Sequence, residues 1–171
     1  MNLLPQTYLL GLVGLLASAA VVVGRQLLRV RRDESRLQQL EQSGLAKSRQ
    51  AADRYELGSV QLRKRLYPQA TATLKQALKR LGDEPNEARA VIENALGFAL
   101  AAQKNYEEAS KHYKLALKAK PNYPVALNNL GYAQDKLLKT EEALTLYRRT
   151  LEIEPENQTA KRAVKKLEKR V

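Results

Sequence analysis

Residues 90–123 read AVIENALGFALAAQKNYEEASKHYKLALKAKPNY, and residues 124–157 read PVALNNLGYAQDKLLKTEEALTLYRRTLEIEPEN. Set one above the other, Leu96, Gly97, Ala109, Tyr113, Leu117 and Pro121 meet Leu130, Gly131, Ala143, Tyr147, Leu151 and Pro155, every pair at one and the same interval. A third copy stands upstream as Leu57-Gly58, Tyr67, Ala70, Leu74 and Ala77-Leu78. The interval from it to its successor is longer, and the enlargement falls around Gly82–Asn86. Self-similarity at a fixed period of roughly 34 residues marks stacked supersecondary units, each unable to bury its apolar face alone.

Each unit reads as two antiparallel helices. Gly58, Gly97 and Gly131 on the first helix predict close approach by the second, with Ala70, Ala109 and Ala143 facing them. The larger Leu74, Tyr113, Leu117, Tyr147 and Leu151 are then expected to fill the space between units. Pro121 and Pro155 end the units, since proline cannot continue a helix. Asn105 followed by Glu108 has the form of a capping box, and Thr140 is expected to start the corresponding helix one copy later.

The L-G…Y…A…Y…A-L…P pattern at this period resembles the tetratricopeptide repeat (TPR). The resemblance implies an all-α fold, a right-handed superhelix of three repeats at about 51–84, 90–123 and 124–157. Residues 158–171 look like a capping helix, with Ala160, Ala163, Val164 and Leu167 covering the last repeat and six Lys/Arg facing water. Arg54 and Glu93 depart from the pattern, standing where the family often has a large apolar residue, and Gly82 replaces a proline. The edge of the first repeat is accordingly expected to be looser.

Ahead of the repeats, Leu3–Val23 (LLPQTYLLGLVGLLASAAVVV) carries no charge. A bilayer core of ~30 Å needs ~20 helical residues, so this length fits a span, with Tyr8 near one headgroup layer. Arg25, Arg29, Arg31, Arg32 and Arg36 follow the apolar run and no charged side chain precedes it. That asymmetry predicts an outward or lumenal N-terminus and repeats on the cytoplasmic or stromal side. The five arginines set orientation, and they are also placed to meet anionic headgroups. Ala17-Ser18-Ala19 resembles a cleavage site, but a signal peptide wants its positive charge before the apolar stretch. The expected organisation is a transmembrane anchor and Arg-rich junction at 1–32, a helical extension and linker at 33–50 broken at Ser43-Gly44, and a TPR domain at 51–171.

The composition excludes several chemistries. With no cysteine and one histidine, disulfides, thiol catalysis and multi-His metal sites are ruled out. His112 is expected to be a solvated surface residue. The pairs Glu107-Glu108 and Glu141-Glu142 open helices, where the dipole favours acidic groups, so they do not read as general acid–base pairs. No phosphate-cradling loop or nucleophile elbow is visible, and the reading is of a protein that is not an enzyme, with no cofactor and no metal. Of the net charge of +12, residues 51–171 carry a surplus of eight, spread over every repeat without an aromatic-basic platform. Nucleic acid is therefore disfavoured against a solvated basic face or an anionic membrane.

A stacked helical array offers a groove lined by the first helix of each repeat. Its expected lining is Tyr55 and Ser59 (with Leu62) from the first repeat, Asn94 and Phe98 (with Ala101) from the second, and Asn128, Asn129, Tyr132 and Asp135 from the third. Asn94 with Asn128, and Phe98 with Tyr132, form two ladders at the repeat spacing. An Asn amide donates and accepts at once, and an aromatic ring supplies apolar area at small rotamer cost, so a peptide segment of a protein client suits the pattern. Arrays that hold acidic chaperone tails resemble one another in a Lys/Asn/Arg clamp. Here those positions read Tyr55, Ser59, Ala95, Val125 and Asn129, which argues against that subtype.

As a whole, the layout is similar to the small membrane-anchored TPR proteins of cyanobacteria and plastids that assist photosystem I assembly. The resemblance implies a scaffold in the thylakoid membrane, bound to the bilayer through residues 3–23, whose partners are photosystem I subunits or assembly intermediates. The alternatives are an inner-membrane TPR adaptor for envelope biogenesis or secretion, and an exported TPR binding protein.

Overall fold

The computed structural model describes residues 4–42, 51–82 and 86–170. The Ser43-Gly44 break, the rest of the expected linker to residue 50 and most of the enlargement at 82–86 lie outside them. Eight helices are described: α1 Leu4–Gln42, α2 Ala51–Arg63, α3 Tyr67–Lys79, α4 Asn86–Ala102, α5 Tyr106–Ala119, α6 Pro124–Lys136, α7 Thr140–Ile153 and α8 Gln158–Leu167. The chain divides into two compact units, residues 1–39 and 40–171.

In the first unit, α1 runs without a break through the apolar stretch and the arginines. Residues Tyr8–Gln39 of this helix are long and apolar enough to cross a membrane, and their most apolar stretch buries nothing within the protein. Arg25, Arg29, Arg31, Arg32 and Arg36 are all exposed.

The second unit is a stack of hairpins. α2 packs on α3, α4 on α5 and α6 on α7, while α3 leans on α4, α5 on α6 and α7 on α8. α4 also touches both α2 and α6, so the first helices of successive hairpins stand side by side. Ala70, Leu74, Ala77, Leu96, Ala99, Tyr113 and Leu130 form one continuous core, and Ala143, Leu144, Tyr147, Ala160 and Leu167 form a second under α8. The glycines and the large residues meet inside each hairpin. A methyl on Gly58 would meet Leu74 Cγ at 2.8 Å, on Gly97 Tyr113 Cε1 at 2.6 Å, and on Gly131 the Tyr147 ring at 3.0 Å. Leu74, Tyr113 and Tyr147, expected between units, thus also reach into their own hairpins. The bulky side chain needs the missing Cβ, whereas Ala70, Ala109 and Ala143 are simply buried to nothing.

The elbow inside each hairpin has one geometry. Arg65, Lys104 and Leu138 take φ of 60°, 65° and 62°, the left-handed region. The next amide then reaches back five residues: Leu66 N–H donates to Gln61 O at 2.9 Å, Asn105 to Leu100 at 3.0 Å, and Lys139 to Gln134 at 2.9 Å. This is the Schellman arrangement, which satisfies carbonyls left over at the helix end. The residue after the left-handed one then caps the following helix. Asn105 does so with its side chain, accepting from Glu108 N at 3.3 Å. Thr140 does not: the cap there is Lys139, which makes no side-chain bond, and Thr140 is the first helical residue.

Two polar residues at apolar family positions are buried with partners. Arg54 donates to Gln76 Oε1 on the facing helix of the first hairpin. Glu93 on α4 lies 2.7 Å from His112 Nδ1 on α5, and both side chains are largely enclosed, at 6% and 14% exposure. His112 is therefore not a solvated surface residue. An acidic group at a core position needs a polar partner, and the imidazole turns inward to supply it.

Candidate protein-binding groove

On the face made by the first helices, a cavity of about 380 Å³ is lined by Phe98, Ala101, Ala102, Tyr113, Asn128, Asn129, Tyr132, Tyr147 and Thr159. The architecture explains this composition. Positions on α4 and α6 one turn apart look along the same side, so Phe98 and Ala101 on α4 stand opposite Asn128, Asn129 and Tyr132 on α6. Phe98 and Tyr132 are each 45% exposed, large apolar surface left open on a folded array. The floor is formed by the rings of Tyr113 and Tyr147, which lie over Gly97 and Gly131.

Tyr132 is held from two sides. Its ring meets Tyr106 edge-on, with centroids 6.1 Å apart, and Lys136 Nζ lies 5.3 Å from its centroid. Burial, followed by the hydrogen bond with Tyr106, raises the Tyr132 phenol above its ordinary value. Burial does the same to Tyr147, pushed up to about 12, and to Tyr113, pushed beyond the usual phenol range. All three are neutral donors at physiological pH.

The asparagines tie helices together across the groove. Asn129 Nδ2 donates to Asn94 Oδ1 at 2.9 Å, linking α6 to α4. Asn128 Nδ2 donates to Asn157 Oδ1 at 3.1 Å, and that same oxygen accepts from Ala160 N at 3.0 Å, capping α8. Burial and then the nearby Tyr55 raise the Tyr123 phenol, and the Asn94 side chain opposes them. The ladder read as Asn94 with Asn128 is thus corrected to Asn94 with Asn129, one residue out of period. Asn128 Oδ1 is enclosed and has no hydrogen-bond partner among the described residues.

Of the expected lining, Phe98, Asn128, Asn129 and Tyr132 come together, along with Ala101. Tyr55 lines a separate, strongly apolar hollow of about 280 Å³ with Ala52, Glu87, Ala88, Val91 and Ile92. Ser59 is half-buried on α2, and Asn94 is buried behind Asn129. Asp135 accepts from Arg170 Nη1 at 2.9 Å and so joins the last hairpin to the C-terminal turn. Sequence reading omitted Tyr113, Tyr147 and Thr159. The two tyrosines carried a usable signal, since Tyr113 follows Gly97 at the same interval by which Tyr147 follows Gly131.

Comparison with known proteins agrees with this architecture. The tetratricopeptide repeat family model matches residues 88–156. The Arabidopsis OM64 TPR domain superposes with a TM-score of 0.67 at 23% identity, covering 75% of this chain and 100% of that domain. The chloroplastic tetratricopeptide repeat domain-containing protein PYG7 of Arabidopsis thaliana is 32% identical over 156 residues, 91% of this chain. The chain spans about half of that plant protein, 51% of its length. The ycf37 protein of Guillardia theta is 30% identical over 158 residues, covering 92% of this chain and 89% of the relative. The chain belongs to the ycf37 family of tetratricopeptide-repeat proteins.

Proposed function

We propose that this chain is a non-catalytic, membrane-tethered scaffold that holds photosystem I subunits or early intermediates while the complex is assembled or stabilised. The observation that carries the binding part is the open aromatic cavity, flanked by the exposed rings of Phe98 and Tyr132. Such a site takes an apolar side chain of a peptide segment. The plastid relatives support the photosynthetic assignment. The apolar stretch of α1 supports a single-pass tether, and the arginines that follow it support repeats on the stromal or cytoplasmic side.

The mechanism joins two effects. A tether confines the groove to a thin layer beside the bilayer and raises its effective concentration toward membrane-bound clients. A modest affinity with a fast off-rate then lets the permanent partner displace the scaffold. Because Asn128 also holds Asn157, the cleaner probe of the groove is Phe98→Ala with Tyr132→Ala. Crosslinking of the membrane-bound protein should recover photosystem I subunits with the native chain and much less with the double variant, at nearly equal thermal stability. Products without any photosystem I subunit would defeat the assembly role, and equal recovery by the variant would defeat the groove.

A further inference from the structure

The C-terminal helix carries a charge pattern that capping does not require. At 100° per residue, Ala160, Ala163, Val164 and Leu167 face the last hairpin, while Arg162, Lys165 and Lys166 fall within an arc of roughly 100° on the opposite side, with Lys169 in the turn just past the helix. All four are exposed. The flanking cations have partners within the chain: Lys161 pairs with Glu156 and Arg170 with Asp135, each at 2.9 Å. The helix-end carboxylate Glu168 is engaged by Arg148 at 2.9 Å. Among the described residues, the central four form no ion pair, and carboxylates that would have masked them are turned to the flanks.

We infer that this face of α8 is a second membrane contact, one that lies on an anionic lipid surface. Long Lys and Arg stems on a convex helix suit a flat, mobile layer of headgroups, and they form no pocket for a single phosphate. The stripe has no aromatic ring interleaved with it, which weighs against stacked bases. The same chain repeats the device on α1, where Arg25, Arg29, Arg32 and Arg36 recur at helical spacing just past the apolar stretch. The inference rests on the tether of the proposed function for its proximity to lipid.

The chain contains no cysteine, so Gln158→Cys places one dye at an exposed position on the same arc. The full chain is reconstituted into vesicles of phosphatidylcholine alone, or of equal parts phosphatidylcholine and phosphatidylglycerol, and quenching by acrylamide is read. The dye should be protected only on the anionic vesicles, and protection should fade in high salt as the Debye length falls to ~3 Å. Arg162→Gln, Lys165→Gln, Lys166→Gln and Lys169→Gln together should abolish it, since each cation contributes roughly fivefold in partition. Replacing the three lysines by arginine should retain it, which separates charge from packing. Equal quenching on both vesicles, with the chain still resistant to carbonate extraction, overturns the inference and leaves the tether standing. Protection on anionic vesicles by a chain that carbonate removes supports the inference and defeats the tether. A single-stranded RNA oligonucleotide that reverses the protection at low concentration would assign the stripe to nucleic acid and overturn the lipid reading.

Discussion

His112 Nδ1 and Glu93 Oε2 stand 2.7 Å apart across the interface of α4 and α5, while Glu108 Oε1 lies 3.9 Å from Nε2, beyond hydrogen-bond reach. A carboxylate only accepts, so the imidazole donates from Nδ1. Glu93→Ala leaves that donor buried and unpaired, and should cost about 1.5–3 kcal/mol, the range for hydrogen bonds to charged groups. Glu93→Gln keeps an acceptor and should cost less than half as much. Urea unfolding of both variants checks the order; a Gln variant as damaged as the Ala variant would show that shape, not the bond, is what matters.

The ring of Tyr113 lies closer to Gly97 than that of Tyr147 does to Gly131. Gly97→Ala should therefore destabilise by roughly 1–2 kcal/mol, overpacking outweighing the helix propensity that alanine gains. Gly131→Ala should lose about half as much, because a shift of a few tenths of an ångström relieves its contact. Thermal melts of the two variants should fall in that order.

Leu138 combines a left-handed backbone with 88% exposure, so its side chain gains almost nothing from its place. Leu138→Gly removes strain of ~1–2 kcal/mol and gives back part of it through a more flexible unfolded chain. The net expectation is a gain of about 0.5–1 kcal/mol, read as a higher urea midpoint with an unchanged slope. Lys104→Gly should behave alike.

Buried phenols make the array sensitive to alkali. Tyr147 is raised to about 12 from an ordinary 10.0, and Tyr113 moves in the same direction. A group whose folded pKa is raised lends stability that is complete below its unfolded pKa and is lost as pH climbs through the folded one. The melting temperature should hold to about pH 10 and decline toward pH 12. Tyr147→Phe should flatten that decline. An unchanged slope would mean that the tyrosine is not the group responsible.

The hairpins were legible because a helical repeat writes its period directly into the chain: Gly97 and Gly131, Tyr113 and Tyr147, Pro121 and Pro155 all recur at the one repeat spacing. What a period does not contain is depth. It could not tell that the Tyr113 ring lies against Gly97, since several residues of the facing helix recur at the same spacing. His112 was misread for a related reason. Its own helix places it among lysines, while the cause of its burial, Glu93, sits on the partner helix of the same hairpin. The groove was legible in its aromatics, but Asn94 and Asp135 are occupied by Asn129 and Arg170, partners that share no repeat spacing with them.

Asn157 serves two masters, accepting from Ala160 N to start α8 and from Asn128 Nδ2 at the edge of the cavity. The array is consequently less modular than its sequence regularity suggests. Earlier hairpins meet their successors over apolar surfaces with single polar links such as Asn129 to Asn94, but the last one is keyed to its terminator by a shared oxygen. Grafting a consensus repeat in place of α6 and α7 would have to import that asparagine pair, or both the terminator and the cavity wall would loosen together.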